Sequence, residues 1–194
     1  MLKKKDRSET LFVLGVSRAI LAEAGLPVPE GVILVSEEDD PELAWPGPFP
    51  AVVKPTLMEN SVGVELVRNT REMRAAIQGA WQYGNMAIID RFIPGREVRC
   101  GAVELTSGEV TPLGAMEYKV NKNNIRAYED KLEGDGDDLR QASSTSTWYL
   151  DPEEEPDLVT RLQQIAVRVH RVMGCRDFSQ IDCRYLMTIL WQFT

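Results

Sequence analysis

Apolar positions between residues 8 and 24 recur at helical spacing. Leu11, Leu14, Leu21 and Ala24 share one face, Val13, Val16 and Ile20 widen it, and Gly25, Pro27 and Pro29 end it. Gly15 interrupts the pattern, which costs up to ~1 kcal/mol relative to alanine in a helix interior. Short β-like runs follow at Gly31 to Val35 and Ala51 to Lys54. The acidic, proline-rich stretch from Glu37 to Pro50 between them reads as loop. A strand from Val64 to Val67 leads to Asn69, an N-cap with Glu72 three residues on, and to a helix presenting Met73, Ile77, Ala80 and Trp81 before Gly84. Met86 to Asp90 reads as a buried strand. Pro94-Gly95 is a turn into a strand from Glu97 to Val103, and Glu109 to Leu113 pairs with it across Thr106-Ser107-Gly108. From Glu117 to Thr147 polar residues and glycine dominate, over a length that marks a functional loop. The last helix is predicted over 156–173, with Leu158, Leu162, Ile165, Val169 and Val172 inward and Gly174 closing it. The single histidine, His170, reads as solvated helix surface with no catalytic role.

An apolar content of 43% and a charged content of 27% are those of a globular chain with one medium domain or two small ones. The net charge of -8 argues against a nucleic-acid surface. Lys3, Lys4, Lys5 and Arg7 are interrupted by Asp6 and Glu9, so the start reads as a solvated terminus rather than a targeting signal. No run approaches the ~20 apolar residues of a membrane span. Three cysteines, without a C-x-x-C spacing, suggest neither a disulfide framework nor zinc and fit reduced thiols in a cytoplasmic setting.

The chemistry concentrates where Phe49-Pro-Ala-Val-Val-Lys54-Pro55 drives an apolar run into a lysine, followed by Ser61-Val62-Gly63. A lysine ending a hydrophobic strand is costly to desolvate unless it meets an anion. The loop offers backbone NH groups that can wrap a phosphate, with Gly63 allowing close approach. From this segment alone, an edge-strand lysine beside an ordinary turn accounts for the pattern equally well. Further on, Asp90-Arg91-Phe92-Ile93 after a strand can set backbone donors and acceptors beside apolar side chains, which is what a flat purine requires.

In order and spacing these elements resemble the ATP-grasp fold, and most closely the D-alanine–D-alanine ligases, from about Leu11 to Arg184. The resemblance is carried by Gly25-Leu-Pro-Val-Pro-Glu-Gly31, Val53-Lys54-Pro55 with Asn60-Ser-Val-Gly-Val64, Ile88 through Val98, Tyr128-Glu-Asp-Lys131 and Gly174 through Asp182. It implies an α+β fold of two lobes with ATP in the cleft between them. The expected division is a helical lead-in over 1–30, a small lobe over 31–93, a carboxyl-terminal lobe over 94–185 and an atypical tail over 186–194. It also implies that Lys54 and Lys131 contact the ATP phosphates, that Asp90 to Ile93 form the adenine hinge, that Glu97 binds the ribose hydroxyls and that Asp182 is a magnesium ligand. For Glu97 a pair with Arg96 or Arg99 is the alternative, and for Asp182 a pair with Arg184 or Arg176. The activity implied is ATP-dependent joining of amino acids such as D-alanine through an acyl phosphate, with small molecules rather than nucleic acid or membrane as partners.

Departures from the family are equally visible. Glu59-Asn60 replaces the Gly-Ser usual before Ser-Val-Gly, and Gln180 stands where the ligases commonly carry an arginine that stabilises the transferring group; Arg184 is the expected substitute for it. After Arg184 the chain has no acidic residue, asparagine or glycine, where the family carries a Glu-x-Asn metal element. The expectation is therefore an incomplete terminus, with Leu186 to Phe193 poorly specified, Trp191 and Phe193 exposed, and self-association into a homo-oligomer. A truncated, non-catalytic ATP-grasp remnant with at most nucleotide binding stays open beside the ligase reading.

Overall fold

The structure, a computed structural model, describes residues 13–35, 39–58, 61–118, 120, 147–186 and 188–191. Lys131 and most of the polar stretch lie outside them. The chain divides into two compact units, one formed by Met1–Ala19, Pro29–Phe92 and Thr194 and the other by Ile20–Val28 and Ile93–Phe193.

Helix α1, Val13–Glu23, contributes to both units. Its mid-helix Gly15 has a packing reason, because a Cβ there would meet Ile33 Cδ1 at 2.7 Å. The helix ends in a Schellman motif: Gly25 has φ +67°, its NH donates to Ala22 O, and Leu26 NH donates to Leu21 O at 2.9 Å.

The first unit is built on β1 (Gly31–Leu34), β2 (Ala51–Pro55), β3 (Glu65–Val67) and β4 (Ala87–Arg91), an antiparallel sheet in the order β1-β4-β2-β3. Helix α3, Thr70–Trp81, lays Met73, Ala76, Ile77 and Ala80 against Ala51, Val53, Ala87 and Ile89. The alternating positions Val52, Lys54, Ile88 and Asp90 are buried too, so both faces of β2 and β4 are covered and their sequences read as continuous apolar runs. The expected loop from Glu37 to Pro50 contains a short helix α2, Pro41–Ala44, and a buried anchor, Trp45. The start signal was in the sequence: Asp40 accepts from Glu42 NH and Pro41 occupies the first turn.

Asn69 caps α3 as the pattern predicts, with its side-chain oxygen 3.0 Å from Glu72 N, while Glu72 accepts in return from Arg68 NH at 2.8 Å. Asn69→Ala is expected to destabilise the protein by about 1 kcal/mol, read from the shift of the urea unfolding midpoint. An unchanged midpoint would show that Glu72 alone holds this end.

The second unit contains β5 (Arg96–Glu104), β6 (Val110–Tyr118), β7 (Thr147–Tyr149), β8 (Phe178–Leu186) and β9 (Thr188–Trp191), in the antiparallel order β7-β6-β5-β8-β9. Strand β6 is longer than predicted and takes in Glu117, assigned above to the polar stretch. Helix α4, Pro156–Val172, buries Leu158, Leu162, Ala166 and Val169 against Val98, Cys100, Ile181 and Cys183, and Leu21 and Leu26 join this core. No helix among the described residues is long and apolar enough to cross a membrane.

Two expectations are corrected here. His170 is 1% exposed, not solvated: it continues the buried stripe of α4, and its Nδ1 lies 2.8 Å from Ser179 Oγ on β8. A histidine beside an apolar stripe is absorbed into it when a polar partner stands opposite. Residues 188–191, expected to be poorly specified, run antiparallel to β8, with Leu186 opposite Thr188 and Cys183 opposite Trp191. A charged turn is not needed for this, because the open edge of β8 supplies a ladder and Thr, Ile, Leu and Trp suit a strand. Phe193 lies outside the described residues.

Candidate functional site

In the first unit the register Val52↔Asp90 and Lys54↔Ile88 puts Lys54 and Asp90 diagonally on one face of the sheet. Lys54 is 4% and Asp90 2% exposed, with Nζ 3.0 Å from Asp90 Oδ2. The other carboxylate oxygen is held by Arg18 of α1, whose second nitrogen donates to Pro29 O at 2.6 Å. Gly31, opposite Asp90 in β1, makes this cluster possible: a Cβ there would collide with the Asp90 carboxylate and stand 2.6 Å from Ile89 O and 3.0 Å from Arg18 Nη2.

Beyond β2 the chain turns sharply. Ser61 has φ +62° and Gly63 φ +71°, and Val64 NH closes the turn on Ser61 O at 3.2 Å. A Cβ on Gly63 would come within 3.2 Å of the Pro55 ring, so the turn Ser61-Val62-Gly63 folds back on the end of the strand that carries Lys54. In the expected hinge, Arg91 NH donates to Glu30 O at 2.8 Å and Phe92 NH to Pro50 O at 3.2 Å. These bonds tie Arg91 and Phe92 to other segments of the first unit.

In the second unit Val98, Cys100, Ile181 and Cys183 face α4, so the alternating Glu97, Arg99, Asp182 and Arg184 occupy the opposite face. Arg99 pairs with Asp182 through both carboxylate oxygens, Nη2 to Oδ2 at 2.7 Å, and its guanidinium lies 5.1 Å from the centre of the Tyr118 ring. The bond to Asp182 raises the Arg99 pKa above its ordinary value. Arg184, 1% exposed, donates to Gly95 O at 3.0 Å and stands 4.0 Å from Glu97 Oε2. Burial pushes its guanidinium pKa down, and Glu97 acts in the opposite direction. Across the strands, then, Asp182 takes Arg99 in place of Arg184 or Arg176, while Glu97 faces Arg184 and also feels the charge of Arg99. Register decides this, and neighbours in sequence do not.

On the α4 side, Arg96 is bound by Glu117 and by Glu155 at the start of α4. Arg96 holds the Glu155 carboxyl below its ordinary value through their hydrogen bond. The unfolded chain therefore binds that proton at higher pH than the folded one. The pair's contribution is full above the unfolded carboxylate value and is lost as pH falls through the folded one. Arg96→Met is expected to shrink the drop in urea midpoint between neutral and acid pH, and an equal drop in both proteins would contradict this.

Magnesium on nucleotide phosphates takes one or two carboxylates with waters and phosphate oxygens. Among the described residues no three His, Cys, Asp or Glu side chains come together, and both oxygens of Asp182 are engaged by Arg99. Asp182, the carboxylate expected to meet magnesium, is thus an ion-pair partner of Arg99. Arg18 was missed in the sequence: a lone arginine inside an apolar helix pattern gave no signal, and only the strand register brings Asp90 to it.

Two antiparallel sheets, each backed by a helix, with a buried lysine beside a tight turn in one and a charged face in the other, have the ATP-grasp fold. The VanG D-Ala:D-Ser ligase from Enterococcus faecalis matches with a TM-score of 0.71 at 21% identity, over 95% of this chain and 52% of that one. The D-alanine–D-alanine ligase from Bacillus anthracis complexed with ATP matches at 0.67 with 18% identity, over 96% and 55%. In sequence, residues 20–188 match the family described as D-ala D-ala ligase C-terminus, and the chain belongs to that family. The D-alanine–D-alanine ligase of Gluconobacter oxydans (strain 621H) is 35% identical over 174 residues, covering 88% of this chain and 52% of the relative. That of Acidiphilium cryptum (strain JF-5) is 31% identical, covering 88% and 51%. The chain spans about half the length of these relatives.

Proposed function

We propose that this chain carries the nucleotide-handling portion of an ATP-dependent carboxylate–amine ligase of the D-alanine–D-alanine type. The observation that carries the proposal is the corner in the first unit, where Lys54, 4% exposed, stands one residue before the end of β2 and the positive-φ turn Ser61 to Gly63 folds back on that end at Pro55. A cation and backbone NH groups at one corner suit a phosphate chain. In this reading Lys54 and the turn meet the ATP phosphates, Lys131 adds a second cation, Asp90 to Ile93 border the adenine, and Glu97 takes the ribose hydroxyls. The burial of Arg184 beside Glu97 supports a role through Glu97 rather than on the transferring group.

The terminal phosphoryl group passes to a carboxylate oxygen of the first amino acid and ADP departs. The amine of the second then attacks the acyl phosphate, a peptide bond forms and phosphate leaves. Negative charge stays on oxygen throughout, so fixed cations and NH groups are the means by which the protein lowers the barrier. D-alanine is the substrate suggested by the relatives' names. Magnesium would belong to the same reading with Asp182, released from Arg99, as its carboxylate, and would supply positive charge at the phosphates. A cytoplasmic setting goes with the reading, supported by the free thiols Cys100, Cys175 and Cys183.

A second reading, nucleotide binding without turnover, is favoured by the engagement of Asp182 with Arg99. Calorimetric titration with ATP, followed by a D-alanine-dependent ADP release assay, separates the two. Saturable binding, at affinities between about 1 μM and 1 mM, is expected under both. ADP release that depends on D-alanine selects the ligase, its absence selects the binding module, and failure to bind ATP overturns both.

A further inference from the structure

Asp90 is a buried carboxylate with two cations from different elements of the first unit. Lys54 approaches one oxygen at 3.0 Å, and Arg18 holds the other. Arg18 is itself fixed from behind, donating to Pro29 O at 2.6 Å, and Gly31 leaves open the space in which its guanidinium and the carboxylate meet. The resulting order is main-chain carbonyl, arginine, aspartate, lysine. It runs inward from α1 to the end of β2.

We propose that Asp90 is a positioning residue for Lys54, holding the ammonium group in one pose on the sheet face for a phosphate to meet, and that Arg18 sets how strongly Asp90 holds it. This deepens the phosphate role proposed above for Lys54, on which it rests. A lysine is a point charge on a flexible stem with four rotatable carbons and several poses of similar energy. A ligand that binds such a group must order it first, and that cost is removed when the protein has already done so. Asp90 is suited to the task because it is immobile: it sits in the middle of the sheet, paired to Gly31 on one side and Val52 on the other, and is 2% exposed. A carboxylate facing Lys54 alone would also compete with an incoming phosphate for the ammonium. Arg18 occupies the second oxygen and draws on the same negative charge, so Lys54 is oriented without being neutralised.

A residue that only stabilises the sheet would act equally on every nucleoside ligand. A residue that positions Lys54 acts more strongly on phosphate-bearing ligands than on a nucleoside without phosphate. The test is therefore calorimetric titration of the full chain with ATP and with adenosine, before and after Asp90→Asn, which keeps shape and polarity but removes the charge. In the unaltered protein ATP is expected to bind more tightly than adenosine. Asp90→Asn is expected to reduce that advantage, the ratio of ATP to adenosine affinity, about tenfold; the ratio is the readout because Asp90 also borders the adenine, and a change there acts on both ligands. Equal losses for both ligands, or an advantage that survives intact, would overturn the inference while leaving the nucleotide reading in place. Absence of ATP binding in the unaltered protein would instead overturn the nucleotide reading, and the inference with it.

Where Asp90→Asn lowers the folded fraction in circular dichroism, Arg18→Met and Arg18→Lys supply the same comparison from the edge of the cluster. Arg18→Met is expected to lower the ATP advantage and Arg18→Lys to retain most of it. Identical behaviour of the two, with the advantage unchanged, would remove Arg18 and Asp90 from any part in orienting Lys54.

Discussion

Lys54→Ala is expected to weaken ATP binding by about 10- to 100-fold while adenosine binding is nearly unchanged. A hydrogen bond from a charged group contributes about 1.5–3 kcal/mol, which converts to that range of affinity. The full effect is expected because Lys54 is almost wholly buried, where bulk water screens its charge poorly. Stability changes separately. Removing Lys54 leaves Asp90 still held by Arg18, so the sheet keeps a compensated carboxylate and the variant should fold. Titration calorimetry at fixed ionic strength reads the affinity, and circular dichroism reads the fold. A folded variant with unaltered ATP affinity would show that the lysine is a structural partner of Asp90 and nothing more.

Leu162→Ala is expected to cost about 2–5 kcal/mol, the range for emptying a fully buried leucine site. Leu162 is 0% exposed in the centre of the second unit's core, where α4 lies over the sheet beside Val98, Cys100 and Ile181. Strands on one side and a long helix on the other limit how far the site can collapse, which places the cost toward the upper part of that range. Urea unfolding followed by tryptophan fluorescence and circular dichroism measures it. A loss under about 1 kcal/mol would mean that α4 shifts to close the cavity and that the packing is looser than the burial implies.

Much of the site was legible as a set of residues and little of it as an arrangement. Lys54 stood out because an apolar run ended in a charge, and Gly63 because a turn followed. Local sequence also carried the caps at Asn69, Gly25 and Gly174, since capping depends on residues a few positions apart. The ion pairs were not legible. Asp182 stands across from Arg99, and Glu97 from Arg184, because β5 and β8 pair in one register, and a slip of β8 by a single residue would have turned Asp182 and Arg184 to the α4 side, away from both partners. His170 was misjudged for a related reason: periodicity put it beside the apolar face of α4, and polar groups from other strands, Ser179 on β8 at Nδ1 and Glu104 on β5 3.9 Å from Nε2, make its burial tolerable.

By itself, then, the sequence determined most of the elements: three amphipathic helix patterns and six strand patterns, their stops, and a lysine, a turn, a glutamate and an aspartate in an order shared with one family. Those properties are local, set by backbone preferences and by the periods of helix and strand. The tertiary structure alone decided which charges meet. The cluster of Arg18, Asp90 and Lys54 joins a helix and two strands far apart in the chain, in a space left open by Gly31, and the last strand takes its place because β8 offers an edge. Long-range pairing energies of this kind depend on register and on the exclusion of water, and neither is written in any short stretch of residues.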